Sequence, residues 1–148
     1  MTILACAVAA AAGGPCAYRD SAARTERELI AMERTSMDGW LKGDSGPMLA
    51  ASDPDITLFH VITERRLEGV AAVKDLYAPY AGRPLYDSYR IENPMVQSGA
   101  DMAILSYQLV THNGSLTRKW NVTEVYQKKE SGWRVIHSHF SITGGDQQ

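Results

Sequence analysis

The chain has 148 residues, 45% of them hydrophobic, with two cysteines and a formal net charge of -2. That length supports one domain with its own core and is short for two. Acidic and basic residues are interspersed without a basic stripe, which argues against nucleic acid as a partner; Cys6 and Cys16 both precede the body of the chain, which rules out a disulfide framework or thiolate metal site there.

Residues 1–20 form an apolar segment rich in Ala and Gly, with no Lys or Arg ahead of it. It matches the middle and end of a secretory signal better than the start. Two readings stand: a signal remnant in which Cys6, after Ile3-Leu4-Ala5, is a lipoprotein processing position, or a disordered tail on a cytoplasmic protein. Localisation therefore stays open between export and the cytoplasm. The run is too short and too rich in small residues for a transmembrane span.

Thr25-Glu26-Arg27-Glu28 has the capping-box pattern, and Leu29, Ile30, Met37, Trp40 and Leu41 then recur on one helical face until Gly43-Asp44. A helical turn over Pro47 to Ala51 and the pair Asp53-Pro54 lead to a strand from Ile56 to Phe59. After a loop or short hairpin at Thr63 to Arg66, Val70, Val73, Leu76, Tyr77 and Tyr80 mark another helix, ended by Gly82 and Pro84. Four long strands follow, at Tyr86 to Gln97, Met102 to Thr111, Leu116 to Lys128 and Trp133 to Ile142, the last two joined by a turn at Ser131-Gly132. The expected fold class is α+β: residues 21–143 form one domain with helices packed in a curved antiparallel sheet, and 144–148 form a tail.

The stretch from Trp120 to Ser141, with Asp53 to Phe59, Leu67-Glu68-Gly69 and Ile91-Glu92-Asn93-Pro94, resembles the association (hub) domain of calcium/calmodulin-dependent protein kinase II and bacterial SnoaL-like proteins. Both belong to the nuclear transport factor 2-like superfamily, and the likeness extends over about residues 24 to 142. It implies a cone-shaped fold with a pocket at one end and a homodimer formed through the convex face of the sheet. By strand alternation, that face would carry Trp133, Val135, His137 and His139, opposite to Ile136, Ser138 and Phe140.

The resemblance also aligns His60 with the proton-abstracting Asp of ketosteroid isomerases, and Glu124 with a pocket position that is Arg in hub domains. Ser36 falls where the isomerases have their oxyanion Tyr. Where hub pockets hold carboxylates with arginines, this chain has Leu109, Glu124 and Phe140, so a neutral or cationic ligand is expected. His60 suits proton transfer at neutral pH, its alternative being a rim histidine. Glu124, between Val122 and Tyr126, points inward by alternation unless a bulge turns it out, and a carboxylate inside must be paired or protonated. Tyr107 shares a face with Leu105 and Leu109 and either donates to a ligand or belongs to the core.

Trp40, Tyr77, Trp120, Tyr126 and Ser138 complete the expected ligand wall, against the simpler reading of aromatic core. His137-Ser138-His139 has zinc-like spacing but no third ligand fixed beside it, so no metal is expected. The sequence thus points to a small-molecule-binding domain acting without a cofactor. Its chemistry would be acid–base catalysis of isomerase or cyclase type on a neutral carbonyl compound, with His60, Glu124 and Tyr107 as catalytic residues. The alternative is a non-catalytic assembly module of the hub type.

Overall fold

The computed structural model describes residues 15–145, with side chains from Arg19 onward. Cys6 and the signal-like residues around it lie outside the described residues. Helix α1 spans Pro15–Trp40. The capping-box pattern at Thr25 therefore lies within the helix: the residues before it include Ala22 and Ala23, and Pro15 suits a first helical position. One face of α1 buries Leu29, Glu33, Ser36, Met37 and Trp40.

Helix α2 (Gly46–Ala51) leads directly into β1 (Ser52–Phe59). The strand starts earlier than Ile56, and Pro54 is tolerated in it because the ladder to its neighbour is interrupted between Ser52 and Thr57. Strand β2 (Leu67–Glu68) pairs back on β1, and α3 (Val70–Tyr77) continues as a 3₁₀ turn over Ala78–Tyr80. The long strands are β3 (Ser88–Ser98), β4 (Met102–Asn113), β5 (Leu116–Lys129) and β6 (Gly132–Gly145).

The result is an α+β fold in which the helices pack into a curved, unclosed sheet of order β2-β1-β6-β5-β4-β3. Among the described residues, the β1–β6 pairing is parallel and the rest of the sheet is antiparallel. The core lies between the concave face and the helices: Leu105, Tyr107, Leu109 and Val122 of the sheet meet Leu29 and Met37 of α1 and Val73 of α3. Among the described residues, no helix is long and apolar enough to cross a membrane.

A bulge in β6 overturns simple alternation along the last strand. Tyr126 pairs with Val135 and its neighbour Val125 pairs with His137, so Ile136 is the extra residue and the side-chain parity switches there. Trp133 and Val135, expected on the convex face with His137 and His139, are buried in the core instead. Beyond the bulge, Ser138 is buried, whereas His137 and His139 flank the exposed Phe59 on the outside. A second bulge at Asn93-Pro94 bends β3, and Asn93 takes the left-handed backbone it requires (φ 50°).

Gly43 ends the α1 segment with φ 70°, and a Cβ there would run into the backbone of Gly82 and Arg83. The close approach is sealed by Gly82 N–H to Gly43 O (2.9 Å) and Leu85 N–H to Trp40 O (3.0 Å), which carries Leu85 and Tyr86 to the mouth of the cone.

The parity switch predicts unequal costs within one strand. Trp133→Ala should destabilise the fold by about 3–5 kcal/mol in urea unfolding, whereas His139→Ala should stay within about 0.5 kcal/mol. Equal costs would mean that Trp133 is not in the core.

Candidate active site

The open end of the cone holds a cavity in two parts. An inner chamber of about 40 Å³ lies between α1, β1, α3 and the concave face, and an outer vestibule of about 380 Å³ continues from it to solvent. His60, Tyr77, Leu85, Tyr86 and Trp120 line both parts and form the neck. The chamber has room for a group about the size of a water molecule or a little larger, and the vestibule has the volume of a small-molecule site.

The chamber floor is built from two carboxyl groups. Glu33 comes from α1 and Glu124 from β5, both about 5% exposed, and they hydrogen-bond to each other. Tyr107 donates its hydroxyl to Glu33 Oε1. Tyr126 donates to Glu124 Oε2 at 2.5 Å, and Ser138 to Glu124 Oε1 at 3.0 Å. Among the described residues, neither Lys nor Arg lines the chamber, and Arg118 stands out in the vestibule.

Two adjacent buried carboxyls cannot both ionise cheaply. Burial is the largest influence on Glu33 and lifts it well above the usual carboxylate range, and the neighbouring charge of Glu124 lifts it further. Glu124 is also raised by burial, and three donors, Tyr126, Glu33 and Ser138, offset only part of the rise. Of the two, Glu33 therefore holds its proton more tightly, and Glu124, which accepts from it, is the one that ionises first. The buried phenols behind it, Tyr107 and Tyr126, are pushed well up and remain protonated donors.

His60 follows the last residue of β1, with its ring 6.1 Å from Tyr77, 6.5 Å from Trp120 and 6.0 Å from Phe140. Burial lowers its pKa, so the imidazole is neutral at neutral pH. Ile62 N–H approaches Nδ1 at 3.4 Å, the long end of a hydrogen bond, which leaves both tautomers within reach. Trp40 packs against Tyr77 with ring centroids 4.5 Å apart, and Trp120 is fixed by its Nε1–H to Thr111 Oγ1 (3.0 Å). The hydroxyls of Tyr77 and Tyr86 have no hydrogen-bond partner among the described residues. Burial raises both phenols, Tyr86 to about 12.

Of the residues singled out in the sequence, His60, Glu124, Trp40, Tyr77, Trp120 and Ser138 line the chamber together. Tyr107 and Tyr126 stand behind it and reach it through Glu33 and Glu124. Ser36 lines the chamber, its Oγ directed to Met32 O at 3.3 Å. Sequence reading missed Glu33 and Tyr86. The signal for Glu33 was present: it lies four residues from both Leu29 and Met37, in the middle of the apolar stripe of α1. Nothing in the local pattern marked Tyr86, which the turn at Gly43 brings to the neck. The His137-Ser138-His139 run splits, with Ser138 inward and His137 bonded through Nδ1 to Thr57 Oγ1 at 2.8 Å.

The acid pair gives stability a pH dependence of defined sign. Above its ordinary value of 4.5, Glu33 ionises in the unfolded chain but stays protonated in the folded one. The folded state then binds the extra proton, and stability falls as pH rises toward the raised value, by up to about 1.4 kcal/mol per pH unit. Glu33→Gln keeps a neutral hydrogen-bonding group, so its Tm should improve relative to the wild type as pH rises above the ordinary carboxylate value of 4.5. Parallel Tm curves for the two proteins would mean that Glu33 is not the proton carrier.

Residues 41–144 match the SnoaL-like domain family. No curated protein matches the sequence. Among solved structures, a candidate ketosteroid isomerase from Parabacteroides distasonis is 25% identical with a TM-score of 0.71, covering 80% of this chain and 87% of that one. The association domain of C. elegans CaMKII is 22% identical at a TM-score of 0.69, with 82% and 98% covered. A candidate dehydratase of the NTF2-like family from Streptomyces avermitilis is 15% identical at 0.69, again with 82% and 98% covered. With its curved sheet wrapped on helices and a family match over most of its length, the chain belongs to the SnoaL-like domain family, within the nuclear transport factor 2-like fold.

Proposed function

We propose that this domain binds a small carbonyl compound in its two-part cavity and moves a proton on it without a cofactor, in the manner of an isomerase or cyclase. The observation that carries the reading is a neutral imidazole at the neck of a cavity whose floor is a buried, proton-sharing acid pair. Titratable groups with separated affinities in one cavity are the equipment of acid–base catalysis. A solved relative described as a candidate ketosteroid isomerase is consistent with such chemistry.

In this reading the body of the compound lies in the vestibule. His60 takes a proton from the carbon beside the carbonyl, and the bonding electrons move onto the carbonyl oxygen. The unpartnered hydroxyls of Tyr77 and Tyr86 are the donors available to that oxygen. His60 returns the proton to another carbon, which completes an isomerisation. Glu124 faces the reacting group from the chamber floor, while Tyr107 and Tyr126 act as positioning residues through the acid pair.

The test is α-proton exchange of cyclic ketones in D₂O, followed by NMR. The wild type should accelerate exchange above the buffer rate, and His60→Ala should lower the protein-dependent rate by about a hundredfold or more. Because the His60 pKa is lowered, the rate should be lost only as pH falls below the ordinary histidine value of 6.5. A variant as fast as the wild type would remove His60 from the mechanism.

Assembly is a second reading, favoured by the hub-domain likeness and by apolar side chains left on the convex face. Met95 is 54% exposed and Ile104 39%, with Met102 and Phe59 also exposed. A homodimer through this face would cover them. Sedimentation should find a dimer that Ile104→Lys converts to monomer; a monomeric wild type would refute the interface.

A further inference from the structure

We propose that the compound bound here carries a primary amine, and that the inner chamber is a seat for its ammonium group against Glu33 and Glu124. The inference rests on the pocket reading above and names the ligand's anchoring group, making it cationic rather than neutral.

Four features of the chamber converge on a small cation. Its floor holds two carboxyl groups, of which Glu124 ionises first, with no Lys or Arg on the lining among the described residues, and His60 at its neck is neutral. Its walls are aromatic: Trp40, Tyr77, Tyr86, Trp120 and Phe140 present the rings that attract cations. Its volume of about 40 Å³ is enough to admit –NH₃⁺. Independently of the acids, the half-buried Tyr77 and Tyr86 line the passage, and their hydroxyls, open to solvent, have no hydrogen-bond partner among the described residues and are available to a polar ligand group crossing the neck.

Binding replaces water around the ammonium with Glu124 as the charged acceptor and the aromatic rings as walls. Glu33 is then free to lower its own affinity for its proton, since a cation now stands beside it. A neutral alcohol of the same shape gains the burial of its body but not the ion pair. A carboxylate meets the charge of the pair directly and is rejected. An amine seated below the neck also leaves the carbons of the attached body beside His60, where the proposed proton transfer takes place.

The experiment is calorimetric titration of the full chain with benzylamine, benzyl alcohol and benzoate at neutral pH. Benzylamine should bind at least about tenfold more tightly than benzyl alcohol, with benzoate undetected. Glu124→Gln, checked for folding by circular dichroism, should bring amine and alcohol within about threefold of each other. Equal binding of amine and alcohol by the wild type overturns the proposal without any variant, as does an absence of amine binding. The ketone-exchange assay separates the two readings: exchange without amine preference removes the ammonium seat and leaves the acid–base pocket, whereas amine preference without exchange does the reverse.

Discussion

The contact on which the rest of this molecule turns is the hydrogen bond between Glu33 and Glu124, a shared proton between a helix and the floor of a sheet. It is costly to assemble, because two carboxyls leave water together and only one can remain ionised at tolerable cost. Three donors from three different strands, Tyr107 on β4, Tyr126 on β5 and Ser138 on β6, offset that cost. Geometry satisfying all of them fixes how α1 lies in the cone, because a sliding helix would leave a buried acid unpartnered. Hydrophobic packing around Leu29 and Met37 supplies the bulk of the burial, but it tolerates small shifts that the acid network does not.

The cavity exists because of two local irregularities. The bulge at Ile136 lets β6 contribute Trp133 and Val135 to the closed end of the cone and Ser138 and Phe140 to the open end. A regular strand would have had to choose one set. At the mouth, the left-handed Gly43 lets the Gly82–Leu85 segment approach the end of α1, which supplies Tyr86 to the neck opposite His60. Between these features the wall is aromatic and the floor acidic, a combination that concentrates electrostatic attraction in a small, poorly hydrated volume.

The solved relatives carry the same fold under very different descriptions, from a candidate isomerase to the association domain of a kinase. Function on such a scaffold resides in the lining of the cone and the covering of its convex face, which vary separately. In this chain both surfaces have distinctive chemistry: a proton-sharing acid pair inside, and exposed Met95, Met102 and Ile104 outside. The two are on opposite faces of the same sheet, so ligand binding and self-association can coexist without competing for residues.

Periodicity and turn chemistry in the sequence determined the elements, their order and the inward direction of Glu124, because alternation along β5 is unbroken from Trp120 to Tyr126. They also gathered much of the site, since His60, Trp40, Tyr77, Trp120 and Ser138 sit at positions where regular strands and helices present side chains to the cone. Only the tertiary structure decided that Glu124 has a second carboxyl as its partner, because Glu33 and Glu124 are ninety-one residues apart in sequence and no local rule pairs a helix face with a distant strand. It likewise decided the fate of Trp133 and Val135, since a single inserted residue reverses every side chain before it and leaves no mark in composition. What local geometry repeats can be read from the chain; what depends on long-range contact and on one break in register is settled by packing.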